Sequence, residues 1–213
     1  MPLSCWGYVL RIFGLHLLTK SLAHMGRSIM YFVAVFLLIA PLSWGQAGIY
    51  QVSESSVRFN SDAPLEMIKA SSPNMVGVVD IAQRTFLFKI NIVSFQGFNS
   101  PRQKEHFNEN YMESDIFPVA IYSGKIIEDV DFSKNGEYDI RSKGKLTIHG
   151  VERQRIVKCH ISSSNGVISV KSGFSVLLAE YNIKIPRIVS DKLSPEIHVA
   201  VDAVLVQKSN KIQ

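Results

Sequence analysis

The residues able to act as nucleophiles, bases or metal ligands fall in few workable spacings along this chain. Ser142-Lys143-Gly144-Lys145 has the Ser-x-x-Lys form, in which an amine activates a hydroxyl, but that chemistry is built on a helix. The alternation around it predicts a strand, where positions three apart face opposite sides, so the two groups would not meet. His106, His149, His160 and His198 show neither a His-x-His nor a His-Glu-x-x-His spacing. Only ligands converging from distant strands could then hold a metal, and none is expected. Cys159 and His160 are adjacent and would point to opposite faces of a strand. Cys159 keeps register with Val157 and Ile161 and belongs in the core. Glu105, Glu109 and Glu113 predict a solvated helix face rather than paired carboxylates. Glu128, Asp129 and Asp131 predict a solvated turn, and His149 a residue supporting its turn from the polar face. No nucleophile elbow, P-loop or Gly-x-Gly-x-x-Gly occurs, so no catalytic residue is assigned.

The elements that would position any site are strands. Phe86, Phe88, Ile90 and Ile92 alternate with Leu87, Lys89 and Asn91. Tyr138, Ile140, Leu146 and Ile148 repeat the pattern, as do Ile168, Val170, Phe174 and Val176, and then Ile197, Val199 and Val201. Asn135-Gly136 and Asn165-Gly166 are hairpin signals; His149-Gly150 and Gln83-Arg84 are weaker ones. One segment breaks the alternation. Ser100-Pro101-Arg102-Gln103 places an N-cap, a first-turn Pro and a Gln three after the cap. A short amphipathic helix over 101–112 follows, with Phe107 and Tyr111 on one face. Pro118 then opens a strand from Val119 to Ile127. The fold class is all-β, with about eight antiparallel strands and one helix, a sandwich or a barrel. Consecutive hairpins favour an up-and-down barrel, whose interior is filled by side chains or holds one small ligand. The inward register gives Phe86, Phe88, Ile90, Ile92, Tyr138, Ile140, Phe174 and Val176 as interior residues. Of these, Tyr138 could offer its hydroxyl to a polar ligand head.

The N-terminal region predicts a compartment. After Met25 and Arg27, Ile29 to Ala40 is an apolar run of 12 residues, closed by Pro41 and followed by Ser43 and Gly45. This is the layout of a secretory signal peptide, cleaved after Gly45 or Ala47. The run falls short of the roughly 20 residues of a membrane span. Residues 1–24 fit the signal poorly, so Met25 is the expected start, residues 1–45 the targeting segment and residues 46–213 the exported domain. The periplasm or the exterior is the expected location, with no stable membrane span after cleavage. Hydrophobic residues make up 46% and charged residues 19%, which suits a globular body. The formal charge of +5 is concentrated at the start, where Arg11, Lys20 and Arg27 have no acidic counterpart. Without those three, the 23 basic residues fall to 20 against 18 acidic ones, giving no case for nucleic acid as a partner. A homodimer stays open.

Four stretches, taken in order, resemble the YceI-like family, the lipocalin-like polyisoprenoid-binding proteins. They are Gly77-Val78-Val79-Asp80, His106 to Met112, Phe117-Pro118-Val119-Ala120-Ile121-Tyr122-Ser123-Gly124, and Lys143 to Val151 with its Gly-x-Leu-Thr-Ile-x-Gly-Val form. The resemblance covers about residues 49–206. It implies an eight-stranded lipocalin-like barrel with an elongated apolar cavity and a polyisoprenoid or similar long lipid inside. It also implies an exported bacterial protein without catalytic residues. Many members carry Arg-Ser-x-x-Gly near the penultimate strand, where this chain reads Leu178 to Pro186. A shorter quinone, fatty acid or lipid amide therefore stays open as the ligand, with no other cofactor expected. Two alternatives stand beside the lipid-binding reading: a solid-core accessory or stress protein of the periplasm, and a lipid-acting enzyme with an unrecognised site.

Overall fold

The computed structural model describes residues 48–208; residues 1–45, expected from the sequence to be a targeting segment, lie outside them. Nine strands follow in order: β1 (Ile49–Asp62), β2 (Met67–Ser72), β3 (Val76–Asp80), β4 (Thr85–Asn91), β5 (Val119–Ile126), β6 (Gly136–Ile148), β7 (Val151–Ser164), β8 (Val167–Leu177) and β9 (Glu196–Gln207). All neighbouring pairs are antiparallel, and β1 pairs with β9 to close the ring.

β2 and β3 act as one interrupted stave, since both run antiparallel to the same edge of β1, and the barrel therefore has eight staves. Pro73 supplies the interruption, because it has no N–H for the ladder. The Ser55 hydroxyl bridges the break, donating to the Pro73 carbonyl at 2.8 Å and accepting from the Met75 N–H at 3.1 Å. The outer edge of β2 is covered where Ser71 and Gln96 exchange two backbone hydrogen bonds of 2.8 Å. β1 carries a bulge between Val52 and Glu54, which changes the parity of its inward set. Tyr50 and Val52 point inward before it, and Val57, Phe59 and Ser61 after it.

Tight turns close the β6–β7 and β7–β8 hairpins. His149-Gly150 and Asn165-Gly166 both have positive φ at each position, the geometry that matches strand twist. Asn135-Gly136 departs from its expected role. Gly136 opens β6, and β5 reaches β6 through a nine-residue connection, residues 127–135. That connection sends Phe132 into the end of the barrel, where it is buried against Tyr50, Phe86, Ile140 and Ile161. Asn135 instead accepts the Asn165 N–H at 2.9 Å, tying this loop to the next hairpin.

The expected helix is present, and its second half is wider than an α-helix. α1 (Pro101–His106) continues into a π-helical turn, Phe107–Tyr111. The Ser100 hydroxyl caps it by accepting the Gln103 N–H at 3.2 Å, and the Gln103 side chain accepts the Asn99 N–H at 2.9 Å. The helix ends at Tyr111, and Glu113 adopts a positive φ, so Glu113 leaves the stripe formed with Glu105 and Glu109.

Candidate functional site

The inward faces of the staves do not fill the barrel. They enclose a cavity of about 640 Å³ that reaches from Phe132 at the plugged end to α1 at the other. This is within the roughly 300–1,000 Å³ of sites that hold small ligands. Of the eight residues expected inside, Phe86, Phe88, Ile90, Ile92, Ile140, Phe174 and Val176 line the cavity. Ile92 does so from a 3-10 turn just beyond β4. Tyr138 does not reach it. Its ring packs edge-on against Phe132 at 5.8 Å, outside the plug, and its hydroxyl donates to the Lys134 carbonyl at 3.2 Å. Parity placed Tyr138 on the right face but at the wrong depth, so its hydroxyl is not available to a ligand head in the cavity.

Close approaches along the walls explain why small residues recur there. Gly124 and Gly144 face each other across β5 and β6. A Cβ at Gly144 would lie 2.4 Å from the Ser123 carbonyl and 3.0 Å from the Tyr122 ring. The glycine pair lets β5 and β6 approach while the Tyr122 ring lies across the wall. The Phe117 ring likewise occupies the space beside Gly150 and packs on His149 at 4.6 Å.

Midway along the cavity the apolar lining is interrupted by Tyr122, Ser142, Cys159 and Ser172. The Tyr122 and Ser142 hydroxyls lie 3.0 Å apart, and Ser142 donates to the Val157 carbonyl at 3.2 Å. Ser172 donates to the Lys158 carbonyl at 2.9 Å. Burial pushes the Cys159 thiol above its ordinary pKa, only partly offset by its contacts with Ser172 and Ser142. Burial likewise raises the Tyr122 phenol. Both groups stay protonated at neutral pH. His160 points outward to Asp139 at 2.9 Å, and Lys145 outward to Glu152 at 2.8 Å, so neither meets Cys159 or Ser142. No cluster of three His, Cys, Asp or Glu able to hold a metal occurs among the described residues.

Helical and loop segments cap the open end. Phe107 stacks on Phe59 at 5.3 Å and lies 5.1 Å from Phe98 and 6.0 Å from Phe95. The segment Leu178–Tyr181 forms a 3-10 turn with Tyr181 fully buried, and Ile183 is buried just beyond it. His149 joins the two caps. Its Nδ1 lies 3.0 Å from the Tyr181 carbonyl and its Nε2 2.6 Å from the Glu113 carboxylate. Sequence reasoning missed Phe59, Phe95 and Phe98 because they stand on a bulged strand and an irregular connection. It also missed the Glu113–His149 pair, since a helix that ends at Tyr111 cannot be told from one that runs to Met112.

The YceI-like domain model matches residues 50–205, the whole of this barrel. The chain belongs to the YceI-like family. Among solved structures it is similar to a polyisoprenoid-binding domain from Saccharophagus degradans implicated in plant cell wall breakdown. That likeness has a TM-score of 0.64 at 14% identity and covers 75% of this chain and 98% of the other. BcnA of Burkholderia cenocepacia follows at 0.59 and 13%, covering 70% and 95%. The YceI protein of Campylobacter jejuni gives 0.51 and 14%, covering 66% and 85%. No curated protein matches the chain. At such identities the likeness is one of fold, and within the YceI-like fold the motif residues have local reasons here. Gly77 leaves space for the Phe88 ring, and Phe117 and Gly150, from two separate motifs, touch each other.

Proposed function

We propose that this barrel is an exported, non-catalytic carrier of a long apolar lipid, held along the cavity between Phe132 and Phe107. The observation that carries this reading is the continuous cavity of about 640 Å³, apolar along most of its length. Each buried CH₂ contributes about 0.8 kcal/mol, so a chain of isoprene or methylene units would bind with few polar contacts. A prenyl chain suits the apolar lining, and the mid-cavity hydroxyls of Ser142 and Tyr122 would suit the oxygen of a quinone or an amide. The name of the Saccharophagus degradans domain agrees with the prenyl choice. The signal-peptide layout of residues 25–47 supports export to the periplasm or beyond. A carrier role is favoured over an enzyme because Ser142, Ser172 and Cys159 have backbone carbonyls and one another as partners, and no base. The open cavity weighs against a solid-core accessory protein.

Native mass spectrometry of protein purified from the exporting cell tests the reading. A retained mass of several hundred daltons that is extractable into organic solvent is expected. Fluorescent prenyl and fatty-acyl probes should then enter the emptied barrel and compete with each other. An empty protein that takes up neither probe overturns the carrier reading.

A further inference from the structure

The cavity opens where three segments meet: the β1–β2 loop, the start of α1 and the connection from β8 to β9. Glu66, Arg102, Gln103 and Lys192 mark that rim, since they line the cavity mouth. The rim is held as a unit. Leu65 N–H donates to the Asp191 carbonyl at 2.8 Å, and the Gln103 side chain donates to Glu66 at 2.9 Å. Two large apolar side chains stand out from it. Ile188 is 91% exposed and Leu65 70% exposed, more than any other large hydrophobic residue of the described chain. The turn Arg187–Val189 makes this arrangement explicit, because Val189 lines the cavity while Ile188 beside it faces solvent. Around these tips Arg102, Lys184, Arg187 and Lys192 are exposed. The ion pairs of the described residues involve none of the four. Glu66 and Asp191 share the rim, and Glu66 is engaged by Gln103.

Protruding apolar side chains ringed by unpaired cations fit the boundary between headgroups and acyl chains of an anionic bilayer. We propose that the barrel docks mouth-first on an anionic lipid surface, with Leu65 and Ile188 entering the acyl boundary and Arg102, Lys184, Arg187 and Lys192 meeting phosphates. The inference builds on the carrier reading, since an apolar ligand must pass between bilayer and cavity without crossing water.

Co-sedimentation with vesicles tests it, using phosphatidylcholine alone and phosphatidylcholine with phosphatidylglycerol. The full chain is used throughout, so any contribution of its N-terminal segment is common to wild type and variants. Wild type should bind the phosphatidylglycerol vesicles, and binding should weaken as salt screens the charge. The double variant Leu65→Asp/Ile188→Asp and the double variant Lys184→Glu/Arg187→Glu should each lose binding by about tenfold or more, because affinity scales with buried apolar area and charge attraction. All four sites are exposed, so the fold should persist, and uptake of a fluorescent prenyl probe from detergent micelles should be unchanged. Variants that sediment like wild type, or a wild type that binds no vesicle while loading from micelles, overturn the docking proposal. Failure of wild type to load from micelles overturns the carrier reading instead, so the two fail separately.

Discussion

Cys159 shows what an interior position does to a reactive residue. The thiolate is the nucleophile, and burial holds this thiol protonated above its ordinary range. We expect slow reaction with a disulfide reagent at neutral pH, accelerating only in alkaline solution, and further protection when a lipid fills the cavity that Cys159 lines. Equal rates with and without bound lipid would place the ligand elsewhere. His149 makes a different demand. Its Nδ1 lies within hydrogen-bond reach of the Tyr181 carbonyl and its Nε2 within reach of Glu113, and its side chain is only 10% exposed. His149→Ala leaves the Tyr181 carbonyl without its partner, whereas the half-exposed Glu113 can turn to water, and leaving a buried polar group unpaired costs about 1–3 kcal/mol. Urea denaturation measures this, and a loss below about 0.5 kcal/mol, as at ordinary surface sites, would show that the two caps are not joined through His149. The inward side of Cys159 was legible from its register with Val157 and Ile161. The role of His149 was not, because its partners lie 36 and 32 residues away.

At the scale of elements, the β5–β6 connection is the plug, and its acidic residues are more than a solvated turn. Glu128 accepts the Arg141 N–H at 2.6 Å and its guanidinium at 2.8 Å, which holds its carboxyl below the ordinary range. Asp131 is held low mainly by the Ser133 hydroxyl. A carboxyl whose pKa is lowered by folding contributes stability above its unfolded pKa, and that contribution is lost as pH falls through the folded value. The plug should therefore loosen in acid. Hydrogen-exchange protection at Ser133 and Arg141, whose N–H groups donate to Asp131 and Glu128, should fall between neutral pH and the acid side of the carboxylate range, and Glu128→Gln should narrow the difference at Arg141. Protection that is equal at both pH values would show that the loop is held by Phe132 alone. The strands, the two tight hairpins and the helix start were readable because alternation and capping are local signals. The plug was not, because Asn135-Gly136 has the composition of a hairpin turn and only packing of Phe132 makes it the end of a long loop. The break between β2 and β3 also escaped notice, since Ser55 repairs it from another strand.

For the whole molecule the decisive quantity is empty volume, and period-two patterning is blind to it. The same inward Phe, Ile and Val residues would suit a filled barrel. What opens this one is where the large side chains go: Phe132 and Tyr138 gather at the plug, and Phe59, Phe95, Phe98 and Phe107 at the cap. Between the two ends Phe88, Tyr122 and Phe174 share the wall with small residues such as Ala120, Ser142, Ser172 and Ala203, which leave the space open. A ligand that binds only the folded barrel must then stabilise it, by about 2.7 kcal/mol at a free concentration one hundred times its Kd. Phe88 faces the cavity from the middle of β4, so Phe88→Trp should fill part of the ligand's path. Overpacking a core costs about 1–3 kcal/mol, but the added atoms here have space to enter, so the unliganded variant should lose little. The expected pattern is a lipid-dependent rise in Tm for wild type, a much smaller rise for Phe88→Trp, and a rise like wild type for Lys171→Ala, on the outer face of β8. If Phe88→Trp gains as much stability from lipid as wild type, the chain does not run past Phe88, and the ligand occupies only the half of the cavity nearest α1.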